Sequence, residues 1–422
     1  MLIHSASQLL TLAGGPQRGR DLGRLGLIED GAVLVRGGRI EAVGPSAVLR
    51  AAYPHEETWD ASGHVVMPGF VDPHTHLVWA GDRAQEFEWR TQGKTYQEIA
   101  AAGGGILATV RATRAASLEE LLAQARQRAW TMLRHGTTTA EAKTGYGLEP
   151  ATELRLLEAI LALNAEGPLE LIPTYLAAHD VPPEFRHDPQ GYVDQICIEM
   201  LPEVRAWWQA HVPGRPLPFV DVFCERIAFD LAQSRQILER ARALGFGLKI
   251  HADEFEALGG ARLAAELGAV SADHLVKTPP EDIRALAASA TVAVALPCTP
   301  FGLAQPEYTP ARAILEAGGL LALASDLNPG TAWCESMPFV IALACRYLKL
   351  TPAEAIAAAT INAAAAIGVA DRLGSLEPGK QADLLVLEVA DYRHLGYRFG
   401  TNPVKRVMKR GVWVVENAPS GA

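Results

Sequence analysis

Cysteine is scarce. The five present, Cys197, Cys224, Cys298, Cys334 and Cys345, are scattered through 422 residues, odd in number and without a CxxC pair. That spacing excludes a disulfide framework and points to free thiols in a reducing compartment. Positive charge is short as well: 38 Lys and Arg against 48 Asp and Glu leave a net charge of −10. Such a balance argues against nucleic acid or an anionic membrane as the main partner. It leaves a small anionic substrate open, because one local cation is enough to bind it. No charge-free apolar run reaches the roughly 20 residues that span a bilayer. Residues 1–15 lack the basic start and cleavage site of a secretory signal, so a cytosolic protein is expected. The phosphate-cradle spacing Gly-x-x-x-x-Gly-Lys-Ser/Thr is also missing, and Gly103-Gly104-Gly105 reads instead as a mobile loop near a site.

What is present is an ordinary globular composition, 49% apolar and 20% charged, ample for a large core. Both ends of the chain read as β. Residues 31–36 and 39–43 alternate around Gly37-Gly38, a hairpin signal, and residues 381–387 and 404–415 read as strands at the far end. Between them strand and helix patterns alternate. Candidate strands cover 65–71, 137–143, 169–177, 219–224, 246–250, 270–272, 290–296 and 320–324. Amphipathic helices are expected over 118–133, 151–163, 231–244 and 281–288. Helices over 338–348 and 351–367 lead back to the β segment, the second including the alanine-rich run 357–366. Eight parallel strands with intervening helices predict an α/β fold, a (β/α)8 TIM-like barrel with its site at the C-terminal strand ends. The expected organisation is a barrel over 65–371 and a small β-sandwich domain built jointly from 1–64 and 372–422.

The strand ends share a chemistry. After the first come His74 and His76; an i, i+2 pair in extended chain aims both imidazoles at one point, which suits a borderline cation such as zinc or ferrous iron. After the second come Lys143 and Tyr146, after the third His179, and after the fourth Glu225. The fifth offers His251, the sixth His274, and the eighth Asp326 followed by Asn328. One histidine at a strand end is usually structural. A ring of titratable groups on one face of a barrel reads as a metal site.

The order His-X-His, His, His, Asp, with β segments at both termini, resembles the amidohydrolase superfamily. Within it, PGFVDPHTHLVWAGDR, AGGGILATVRATR, KTGYG, LAAHDVP, KIHADEF, SADHL and SDLNPGTAWCESM resemble the imidazolonepropionase family, over about residues 65 to 410. The resemblance implies hydrolysis of the cyclic amide C–N bond of 4-imidazolone-5-propanoate to N-formimidoyl-L-glutamate, the third step of histidine degradation. It implies a metal held by His74, His76, His251 and Asp326, with a position left for a water whose pKa falls toward about 7. One zinc or iron per subunit is expected, since the fourth strand ends in Cys224-Glu225 with no lysine nearby and Lys143 looks misplaced for bridging two metals. Glu254, in an H-x-x-E arrangement with His251, is the expected proton shuttle, with Asp253 and Glu256 as competitors. His274 is expected to orient the nucleophile or stabilise the oxyanion, or else to support a ligand from behind. Arg83 would take the propanoate carboxylate as a two-pronged partner. The family pattern places Tyr146, His179, Glu254, Asn328, Gly330 and Thr331 around the substrate, and implies a homodimer. The rivals are a purine or pyrimidine aminohydrolase with the same ligands, disfavoured by Arg83 and the SDLNPGT loop, and a non-catalytic barrel assembly protein.

Overall fold

The computed structural model describes residues 1–94, 98–99 and 102–417; residues 418–422 of the expected C-terminal segment lie outside them. The chain starts in β1 (Leu2–Leu10), β2 (Leu27–Arg36), β3 (Arg39–Pro45), β4 (Thr58–Asp60) and β5 (Val65–Pro68). The barrel follows as β6 (Phe70–Asp72), β7 (Thr137–Lys143), β8 (Glu170–Ala178), β9 (Phe219–Cys224), β10 (Gly247–Ala252), β11 (Ser271–His274), β12 (Val292–Ala295) and β13 (Leu320–Leu323). The chain ends with β14 (Leu384–Leu387), β15 (Val404–Lys409) and β16 (Val412–Glu416). Strands β6 to β13 are parallel neighbours in sequence order, with helices between most of them, which makes a (β/α)8 barrel. Three of the helices in the chain start in capping boxes, Ser117 with Glu120, Asp230 with Gln233 and Thr351 with Glu354.

The terminal strands form one sheet in the order β16-β15-β14-β5-β1-β2-β3, with β4 also paired to β1. This sheet curls until its two end hairpins meet: Ala382 N–H donates to Gly38 O and Gly411 N–H to Ala382 O, both at 2.9 Å. Both hairpin turns need positive φ, at Gly37 and Gly38 (54° and 76°) and at Arg410 and Gly411 (49° and 78°). An apolar core including Val33, Ile40, Val66, Leu384, Val386 and Met408 fills the fold of the sheet.

Two expectations are corrected here. Residues 65–71 are not one barrel strand. Val65–Pro68 pairs with β1 and β14 in the terminal sheet, and only Phe70–Asp72 joins the barrel. Gly69 is the switch, and it must be glycine: a Cβ there would stand 2.3 Å from Thr138 Oγ1. Residues 351–367 are likewise two helices, Pro352–Ala358 and Ile361–Ala365, broken at Thr360 (φ −129°, ψ −93°). The break presents buried Asn362, whose Nδ2 donates to Gln17 O (2.8 Å) and Leu321 O (2.9 Å), joining the N-terminal segment to the barrel.

The barrel closes around its site. Strands β13 and β6 meet beyond their ends through a Thr75–Leu327 bridge, with His76 N–H on Leu327 O (2.9 Å) and Asp326 N–H on His74 O (3.1 Å). At the opposite, N-terminal end, buried Glu170 of β8 receives Lys409 (3.0 Å) and Arg410 (3.2 Å) of the terminal sheet, and Arg372. Among the described residues no helix is long and apolar enough to cross a membrane.

Candidate functional site

Closure of the barrel seam puts His74, His76 and Asp326 side by side, and β10 brings His251 in from across the barrel. His74 Nε2 lies 3.4 Å and His76 Nε2 3.7 Å from Asp326 Oδ1, and His76 Nε2 lies 3.5 Å from His251 Nε2. Ligand atoms about 2.0–2.1 Å from a tetrahedral zinc are separated by roughly 3.4 Å. The spacing therefore fits a metal. So does the chemistry of the donors: His74 Nε2 is buried with no hydrogen-bond partner. Burial, reinforced by Lys143 at His74 and by His179 at His76, holds both imidazoles well below the usual histidine range, hence neutral. His274 is close enough to compete, since nitrogen atoms of His74, His251 and His274 also fall within 4.8 Å of one another.

The far nitrogens face carboxylates, the first through a hydrogen bond and the second by proximity alone. His74 Nδ1 donates to Asp273 Oδ2 at 2.7 Å, and His251 Nδ1 lies 3.0 Å from Asp221 Oδ2. These contacts set which nitrogen faces the cluster. Asp326 Oδ2 accepts from Thr299 Oγ1; burial outweighs that bond and raises the carboxyl to about 6. His274 and Asp326 have left-handed backbone (φ 78° and 55°), which costs a non-glycine residue on the order of 1–3 kcal/mol.

A cavity of about 190 Å³ opens over the cluster, room for a small ring compound rather than a polymer. On its wall the His179 ring stacks on His76 (centroids 4.8 Å, 9°), with Tyr146 5.3 Å from His179. His179 Nδ1 is anchored on Gly145 O at 2.9 Å, and burial, with His251 second, lowers the ring to about 3. Gly145 has φ 107°, and a Cβ on it would stand 2.9 Å from His179 Nδ1. Glu254 also lines the cavity, its Oε2 3.6 Å from His274 Nδ1. Burial, then Asp326 and Glu225, push its carboxyl well above the usual range. Glu225 accepts the Glu254 and Phe255 N–H groups (2.7 and 3.0 Å) and so fixes that turn.

Family models match as amidohydrolase family over residues 57–105 and 226–414 and as imidazolonepropionase-like composite domain, bacteria, over 31–55. The imidazolonepropionase of Herpetosiphon aurantiacus is 54% identical over 416 residues, 99% of this chain and 97% of the relative. That of Chloroflexus aggregans is 53% identical over 421 residues, 99% of both chains. This chain belongs to the imidazolonepropionase family. Solved structures share the fold alone: E. coli guanine deaminase (TM-score 0.72, 18% identity, 99% of each chain) and 5-methylcytosine deaminase from Klebsiella pneumoniae (TM-score 0.72, 18% identity, 99% and 98%).

Against that family frame, several sequence expectations change. Asp253 is spent on its own loop, accepting from Leu258 N–H, Gly260 N–H and Thr278 Oγ1, while Glu256 pairs with Arg226 at the surface. Neither reaches the cluster. Arg83 does not present an open fork, because Glu86 occupies its Nε and Nη2 (Nε–Oε2 2.9 Å), leaving Nη1 beside Gly330. Gly105 N–H also binds Glu86 (2.8 Å), which ties the triple-glycine segment to the same carboxylate. Asn328 and Thr331 line the cavity, but Asn328 is occupied in shaping its loop, accepting from the Gly330 and Thr331 N–H groups at 2.8 Å. Gly330 lies behind Arg83 rather than on that wall. Lys143 ends β7 as expected, fully buried, but a lysine does reach the fourth strand, 2.7 Å from Asp221. Sequence reading missed Glu141, Asp221, Asp273, Lys249 and Glu86. The available signal was charge inside apolar strands, at i, i+2 spacing in Glu141/Lys143 and Lys249/His251.

Proposed function

We propose that His74, His76, His251 and Asp326 hold a single zinc or iron ion, and that the reaction of this hydrolase takes place in the cavity above it. The reaction is hydrolysis of the ring amide C–N bond of 4-imidazolone-5-propanoate to N-formimidoyl-L-glutamate in histidine degradation. The observation that carries the assignment is the approach of Asp326 Oδ1 to His74 Nε2 and His76 Nε2 (3.4 and 3.7 Å), with His251 Nε2 3.5 Å from His76 Nε2. The metal supplies Lewis acidity and brings the pKa of a water toward about 7 when it is bound.

The chain's own groups do the rest. Glu254 takes the proton of the attacking water and delivers it to the ring nitrogen as the C–N bond breaks. Burial pushes that carboxyl up, which favours its holding the proton between the two transfers. His274, 3.6 Å from Glu254, orients that carboxyl and donates to the oxyanion that develops on the ring carbonyl. Tyr146 and His179 flank the flat ring. Arg83 meets the propanoate carboxylate with Nη1, one charge-assisted bond rather than two, because Glu86 holds the rest of its fork. Asn328, Gly330 and Thr331 shape the facing loop. A second metal on His74, Glu141 and Asp273 is disfavoured because that set already faces lysine: Lys143 Nζ is 2.8 Å and Lys249 Nζ 3.0 Å from Glu141.

The test is loss of ultraviolet absorbance of synthetic imidazolone propanoate, with metal measured on the same sample. Turnover that tracks one equivalent of metal per chain is expected. Ammonia release from an aminopurine or aminopyrimidine, with the imidazolone untouched, overturns the assignment.

A further inference from the structure

We propose that Lys143 is a positioning residue of the metal centre, its ammonium fixing the two carboxylates that orient His251 and His74. The proposal rests on the reading of those histidines as metal ligands. Lys143 belongs to the KTGYG segment, whose Tyr146 and Gly145 are accounted for in the cavity wall and whose lysine is not. It is 0% exposed at the end of β7. Its Nζ lies 2.7 Å from Asp221 Oδ2, 2.8 Å from Glu141 Oε2 and 3.6 Å from Asp273 Oδ2.

The decisive detail is that the oxygens are shared. Asp221 Oδ2 faces both Lys143 Nζ (2.7 Å) and His251 Nδ1 (3.0 Å). Asp273 Oδ2 likewise accepts from His74 Nδ1 (2.7 Å) while Lys143 stands 3.6 Å away. One ammonium is thus one atom removed from two ligand rings carried by different strands. Lys249, the other lysine of this layer, does not duplicate it. Its Nζ donates to Pro73 O (2.9 Å), pairs with Glu141 (3.0 Å), and approaches Asp273 only to 3.8 Å. No contact joins it to Asp221 among the described residues.

The site beneath the metal thus packs three carboxylates and two ammoniums, all fully buried. Without Lys143, Asp221 keeps the Val222 N–H on Oδ1 (2.8 Å), but Oδ2 is left with only the imidazole it faces and no cation to fix it. A ring whose far nitrogen loses a fixed acceptor loses its orientation and tautomer, and removal of such outer partners typically weakens metal binding by about 10- to 100-fold. A purely electrostatic role predicts the opposite sign, since deleting a cation near a dication site tightens that site. The direction of the change therefore discriminates.

The experiment compares full-length wild type, Lys143→Met, Asp221→Asn and the double variant. Zinc affinity is read by chelator competition, the visible spectrum after cobalt substitution reports ligand geometry, and kcat and KM are measured separately. Lys143→Met is expected to bind zinc about 10- to 100-fold more weakly, to change the cobalt bands, and to lose kcat with little change in KM. If Lys143 acts through Asp221, the double variant binds no more weakly than the worse single variant. Unchanged or tighter zinc binding, uptake of a second equivalent, or additive losses overturn the proposal. Should Lys143→Met fail to fold by circular dichroism, Asp221→Asn decides alone, because it keeps the shape of the relay without its charge: wild-type affinity there also overturns the proposal. His76→Ala is run alongside. Full metal retention in His76→Ala overturns the ligand assignment itself, whereas loss there combined with retention in Lys143→Met overturns only the positioning role.

Discussion

Glu254→Gln tests the proton shuttle at the point where the mechanism is most exposed. The substitution keeps the size of the side chain and one acceptor oxygen toward His274, 3.6 Å away in the native structure. It leaves the turn intact as well, because Glu225 holds that turn through the Glu254 and Phe255 backbone N–H groups, not through the side chain. Glu254 is outside the converging donor sets, so metal content should not change. What disappears is the ability to take and return a proton. A positioned general acid–base contributes about 10²- to 10⁴-fold, or roughly 2.7–5.5 kcal/mol of barrier. The expected result is a kcat lowered by that factor, an unchanged KM within a few-fold, and one equivalent of metal by mass spectrometry. Burial already disfavours the charged form of the native carboxyl, so a neutral amide of the same size should cost little stability and Tm should change little. A variant that keeps most of its activity refutes the reasoning, and His274 would then be the group to test. A variant that loses its metal refutes it differently, by making Glu254 a ligand.

His76→Ala removes one donor from the cluster and should drop metal well below one equivalent with the barrel still folded, measured by mass spectrometry and circular dichroism. Arg83→Ala should lower kcat/KM by about 10- to 150-fold, the value of one charge-assisted bond of roughly 1.5–3 kcal/mol; an imidazolone lacking the carboxylate should show almost no defect, and equal defects on both compounds place the carboxylate elsewhere. Glu170→Gln should destabilise the molecule by about 3 kcal/mol, the low end for a broken buried pair, since Lys409 keeps Asp383 at 2.6 Å. Burial raises the Glu170 carboxyl, but Lys409 and Arg372 outweigh it and hold it below 4.5. A carboxyl depressed in the folded state stabilises above its unfolded value and ceases to do so as pH falls through the folded one. The Tm gap between wild type and Glu170→Gln should therefore be full at pH 7 and shrink below about pH 4; a gap that widens on acidification contradicts the pairing.

Local pattern alone carried much of this protein. Strands 137–143 and 219–224 form with the limits that alternation and turn residues predict, and the helices starting at 118 and 231 follow their capping boxes. The His-X-His pair and its partners were legible because a parallel barrel puts every strand end on one face, so order along the chain becomes proximity in space. Three things were not legible. The split of 65–71 at Gly69 depends on Thr138, a residue nearly seventy positions away whose hydroxyl excludes a Cβ. The occupation of Arg83 by Glu86 is local in sequence, but a salt bridge at i, i+3 is one of many such pairs until a cavity shows which groups it withholds from a ligand. The lysine–carboxylate layer beneath the histidine cluster is wholly tertiary: Glu141, Lys143, Asp221, Lys249 and Asp273 come from β7, β9, β10 and β11. Sequence shows which charges interrupt apolar strands. Only barrel closure, which removes water from all of them together, decides that they must neutralise one another and thereby orient the histidines above.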